Sequence, residues 1–129
     1  MKIYHNGELL AVIIKFSDID KDKDFVTENN EDFQVASFNL KGGESILNHY
    51  HPEQERKIFS TCEMITLIEG KIRINIFDLE QNLIKSEILT SGDSVALLRG
   101  GHGIEIIDNS KFIESKQGPY VEKSDKVRF

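Results

Sequence analysis

The sequence predicts an all-β fold, and three observations carry the prediction. Lys71-Ile72-Arg73-Ile74-Asn75-Ile76 alternates strictly with period two, the pattern of a strand with one dry face. No segment repeats its apolar residues at helical spacing over three turns. Eight to eleven short β-rich runs follow one another between turns marked by glycine, which points to a sandwich or a barrel.

The runs are taken in order. Leu9 to Ile14 is apolar, partly β-branched and flanked by polar residues, so it reads as a strand. Ser17 to Asp24 is a charged connector. Its aspartates do not form an EF-hand, because the turn glycine and the closing glutamate are missing. Phe25-Val26-Thr27 reads as a short strand, 28–32 as a turn, and Phe33 to Leu40 as a half-buried strand ending in the turn Lys41-Gly42-Gly43.

Strands are then expected at Ser45 to His51, Arg56 to Ser60, Glu63 to Ile68, Lys71 to Phe77, Leu83 to Leu89, Ser94 to Leu98, Ile104 to Ile107 and Phe112 to Gln117. Glu69-Gly70-Lys71 and Gln81-Asn82 supply turns. The polar tail 118–129 carries isolated apolar residues and is expected to pack back on the body.

The totals narrow the partners. A chain of 129 residues has room for one domain with a real core, and 39% hydrophobic with 29% charged residues is an ordinary globular balance. The expected layout is one domain over 1–129, with its centre at about 33–117 and the segments 1–32 and 118–129 packed on it. A net charge of −6 repels nucleic acid and anionic membranes, so neither is expected as a partner. The first residues lack a signal-peptide core, and Leu9 to Ile14 is too short to span a bilayer. The single cysteine, Cys62, forms no internal disulfide. Together these features predict a cytoplasmic protein.

The chemistry concentrates between Gly43 and His102. On a strand, His49 and His51 point to the same face, with Tyr50 opposite. Two such imidazoles suit Zn, Fe, Mn, Ni or Cu and need further ligands. Glu63 shares its face with Ile65 and Leu67, where a carboxylate is expensive unless it is paired or bound to metal. Glu55 sits in a polar run with no strand around it. His102 follows Gly100-Gly101, whose freedom suits a tight path that turns a side chain inward. Arg56, Glu114 and Lys116 are candidate substrate-binding residues, set against the alternative of solvated charges. Cys62, on the face opposite Glu63, reads as a small buried apolar residue.

These residues resemble a single-domain cupin. Gly43, His49, His51, Glu63 and Gly70 follow the first cupin motif in order and type, and Gly92, Gly100, His102 and Asn109 follow the second more loosely. The pattern departs at three points. The His51–Glu63 connector is enlarged, Leu98 stands where the motif has proline, and His102 arrives one residue early after Gly100.

The resemblance implies a double-stranded β-helix, the jelly-roll barrel, with His49, His51, Glu63 and His102 holding a divalent transition metal such as Zn, Fe, Mn or Ni. It also implies a homodimer and a small-molecule substrate. Lys116-Gln117-Gly118-Pro119-Tyr120 and the closing 125–129 look like a subgroup of small cupins associated with bacterial surface-polysaccharide genes. That likeness implies a sugar-derived or nucleotide-sugar substrate and an isomerase or epimerase reaction. An Fe-dependent dioxygenase and a non-catalytic binding module are the alternatives.

Overall fold

A computed structural model describes residues 1–122 and 125–129. The described chain is all-β and antiparallel, with a single turn of 3-10 helix at Phe16–Asp18. A six-stranded sheet is built from β1 (Lys2–His5), β2 (Glu8–Ile14), β5 (Glu63–Phe77), β6 (Leu83–Thr90), β7 (Ser94–Leu97) and β8 (Gly101–Lys116). A two-residue pair, β3 (Asp24–Phe25) with β4 (Ala36–Ser37), lies apart from it. Among the described residues no helix is long and apolar enough to cross a membrane.

β2 and β7 explain the unbroken apolar runs of the sequence. They pair with each other, and nearly every residue in both is buried. Strands covered on both faces read as continuous hydrophobic runs rather than alternations. One face meets the larger apolar cluster, which includes Ile13, Ile65, Leu67, Ile72, Ile74, Ile76 and Leu89. The other meets a smaller cluster of Leu9, Val12, Val35, Cys62, Ala96 and Leu98.

β5 organises the sheet. Its first residues pair with β7, its second half pairs with β6, and β8 runs along the opposite edge for nearly the full length. Two strands and a turn were expected over these fifteen residues, with a second break between Ile107 and Phe112. The structure joins each pair of segments into one strand instead.

The reason is a bulge shared by both strands. The register slips between Leu67 and Ile72, and Gly70 takes φ +100° there. A Cβ on Gly70 would lie 2.3 Å from the Asn109 carbonyl oxygen, so only glycine fits. The Ser110 hydroxyl, which donates to the Asp108 carbonyl at 2.7 Å, accepts from the Lys71 N–H at 3.1 Å. The glycine marks a bend in a continuing strand, not a reversal.

Three further expectations change. β1 pairs with β2 through a hairpin whose turn is Asn6-Gly7, both residues at positive φ. That dipeptide is a strong hairpin signal, and it marks a strand absent from the sequence-based list. Of the strand expected over Phe33 to Leu40, only Ala36–Ser37 forms. The strands expected at Ser45 to His51 and Arg56 to Ser60 do not form. From 38 to 62 the chain has no regular structure, because no neighbouring strand supplies a ladder for it. The Gln81-Asn82 turn is present. Asp78 accepts from the N–H groups of Glu80 and Asn82, both at 2.9 Å, and Gln81 sits at φ +69°.

Candidate functional site

Glu63 opens β5 on the inner face, with Ile65 and Leu67 following it into the larger apolar cluster. Only 6% of Glu63 is exposed. Lys116 of β8 and Leu97 of β7 stand across from it on either side. His102 lies near the other end of the ladder, across from Ile76 on the same inner face. The curvature of the sheet brings the two together, with His102 Nε2 3.1 Å from Glu63 Oε2. That separation is within ion-pair range, yet Oε2 receives no aligned hydrogen bond.

Lys116 completes the near environment. Its ammonium lies 3.8 Å from Glu63 Oε1, ion-pairs with Asp125 and stands 4.9 Å from the centre of the Tyr120 ring. The hydrogen bond to Asp125 raises the Lys116 pKa above the usual lysine value. Burial opposes that rise, and the nearby Asp125, Glu63 and Glu114 carboxylates add to it. Lys116 therefore stays cationic beside Glu63.

Glu63 and His102 lie in the wall of a cavity of about 910 Å³, with Glu114, Arg99, Asp125 and the end of the tail around it. Phe129 stacks edge-on against Phe77 at 5.3 Å and so closes one side. In the described part of the tail, Phe129 thus meets Phe77 of β5 and Asp125 meets Lys116 of β8.

The four residues of the expected ligand set separate into two pairs. Glu63 and His102 meet. His49 and His51 lie on the exposed segment 38–61, with ring centres 5.3 Å apart, and His49 Nδ1 is 2.8 Å from the Leu47 carbonyl oxygen. Among the described residues, no three His, Cys, Asp or Glu side chains come close enough together to hold a metal ion.

The substrate-binding candidates divide as well. Glu114 borders the cavity and Lys116 stands beside Glu63, whereas Arg56 borders a separate shallow hollow of about 290 Å³ next to Glu31 and Asp32. Glu55 is fully solvent-facing, near Lys57 at 4.0 Å.

Several residues around the cavity had no signal in the sequence. Arg99 donates to the Leu9 carbonyl at 3.1 Å and pairs with Glu31 at 2.8 Å, tying β7 to the loop before β4. Asn75 and Arg73 donate to Glu105 at 2.7 and 2.6 Å; the Asn75 bond chiefly holds its carboxyl below the usual range, with burial opposing it and Arg73 adding to it. Asn75 interrupts nothing in the alternation of its strand, so pattern reading passes over it. Cys62 occupies the smaller apolar cluster on the other face, and burial pushes its thiol pKa up.

No family model matches the chain, and neither the curated proteins nor the solved structures contain a match to it.

Proposed function

We propose that this protein is a metal-binding cupin-type enzyme of the isomerase or epimerase class. Its substrate would be a small sugar-derived or nucleotide-sugar molecule of surface-polysaccharide metabolism, handled by a cytoplasmic homodimer with a jelly-roll fold. The observation that carries the reading is Glu63, a carboxylate buried at the edge of an apolar core with one oxygen lacking an aligned donor. A buried charged oxygen left in that state is costly, and a cation beside it and His102 would offset the cost.

Glu63 and His102 would supply two ligands of a hard-to-borderline divalent metal, and His49 and His51, which lie apart from them in this structure, would have to move to complete the set. A bound metal would polarise a substrate carbonyl and so acidify the neighbouring C–H. The cavity falls within the roughly 300–1,000 Å³ of small-molecule sites. Glu114 in the cavity wall offers an acceptor for hydroxyls, and Lys116 holds a positive charge beside Glu63.

A second reading rests on the 3.1 Å approach of His102 to Glu63. A carboxylate beside an imidazole holds the ring in place, which is what a metal-free general base needs. The substrate class is the same.

Elemental analysis of protein purified without added metal tests the first reading. The wild type should carry a transition metal that Glu63→Gln and His102→Ala lack; equal, low content in all three sinks it. Deuterium wash-in next to the carbonyl of sugar substrates, metal-free and abolished in His102→Ala, would then establish the second.

A further inference from the structure

The residues 125–129 all border the cavity, together with Glu63, Gly101 and His102. They are held at two points of unequal strength. The first is Asp125. Its carboxylate pairs with the Lys116 ammonium, with both side chains mostly buried, and its N–H donates to the Val121 carbonyl at 2.9 Å.

The second point is Phe129. Its ring meets Phe77 edge-on and lies over Gly101, where an added Cβ would come within 2.9 Å of the ring. The missing side chain at 101 gives the ring its seat, one residue before His102. That seat covers only part of it, since 61% of Phe129 stays exposed.

Between the two points the chain joins no strand of the sheet, and Val127 is 87% exposed. A buried ion pair with a backbone hydrogen bond holds one end, and a half-covered ring holds the other. A segment with no ladder and so few buried contacts opens locally well before the sheet unfolds. The weaker end is the one that lets go.

We infer that 126–129 is a hinged wall of the cavity, pivoting on the Asp125–Lys116 pair and latched by Phe129 on Gly101. Latched, the ring shields His102, whose side chain keeps 32% of its surface open, and narrows the space beside it. Released, it uncovers the imidazole. Phe129 is thereby the residue that limits the size of the substrate group lying next to His102. The limit on substrate size rests on the reading of this cavity as the substrate site, while the hinge does not depend on it.

Carbethoxylation of the histidines by diethyl pyrocarbonate, mapped by peptide mass, reads the latch. His49 and His51 serve as exposed internal references. Phe129→Ala alters no charge and should speed His102 several-fold against those references, while Phe129→Tyr, which keeps a ring, should restore the slow rate. An unchanged ratio in Phe129→Ala overturns the wall.

The buried Cys62 thiol reports folding in the same samples. It should stay protected in Phe129→Ala; loss of protection would make the ring a support of the whole fold and would also overturn the latch. Carbodiimide should couple Lys116 to Asp125 in the variant as in the unmodified protein. Loss of that coupling overturns the pivot. Neither sugar nor metal enters these measurements, so their failure leaves the proposed reaction standing, and a protein without turnover still reports its wall.

Discussion

Glu63 and His102 lie 3.1 Å apart although the β5–β8 ladder sets them near opposite ends, one across from Lys116 and the other across from Ile76. A flat strand would separate such positions by roughly 40 Å. The sheet must therefore curl through most of a turn between them, and the shared bulge at Gly70 is where the ladder slips. Curvature makes the cavity, and the cavity is what brings an acid and an imidazole into one place.

That dependence gives the first prediction. Gly70→Ala should destabilise the fold by about 2–3 kcal/mol, since it combines a left-handed backbone with a collision against Asn109. Gly43→Ala has the same positive φ but open space around it, and should cost about 1 kcal/mol. Urea midpoints of the two variants check the contrast. Equal losses would show that the close approach at Gly70 does not matter.

Glu63→Gln separates function from stability. The amide keeps the shape and removes a buried charge, so the metal-free variant should unfold at the same temperature as the wild type or slightly above it. Its bound metal should fall sharply. A lower melting temperature would mean that His102 and Lys116 already compensate the carboxylate in full.

Asp93 should set part of the acid stability. Burial raises its pKa, but hydrogen bonds from the Thr90 and Phe16 N–H groups and from Lys15 outweigh this and hold it below its ordinary value of 3.8. A carboxyl lowered in the folded state contributes stability that is present above the unfolded pKa and is lost as pH falls through the folded one. Unfolding measured from pH 5 downward should show a steeper loss for the wild type than for Asp93→Asn. The variant should start about 2 kcal/mol lower at neutral pH.

Cys62 should be chemically quiet. Its sulfur is buried, lies 3.5 Å from the Leu98 carbonyl oxygen, and has its pKa raised by desolvation. Thiol labelling should be slow in native protein and complete in denaturant. Fast native labelling would place Cys62 outside the apolar cluster.

Much of this molecule was legible in the sequence. The β6 and β7 strands and the second half of β5 were read from period-two alternation and apolar runs, signals that are local and sum over few residues. Glu63 was read as facing the core because Ile65 and Leu67 share its parity, and its burial follows. The opposite face for Cys62 came from the same rule. The Asn6-Gly7 hairpin was missed, because its signal lies in turn chemistry and not in periodicity.

The rest depended on partners far along the chain. Whether glycine at 70 reverses a strand or bends it turns on the approach of Asn109 and Ser110, which no local window contains. The run from Ser45 to His51 would put both histidines on one face of a strand, but a strand exists only when another edge satisfies its backbone, and among the described residues none does. Alternation fixes the face that a side chain takes. Only the curvature and pairing of the sheet fix what it meets, because hydrogen-bond ladders and close contacts join residues that the sequence keeps apart.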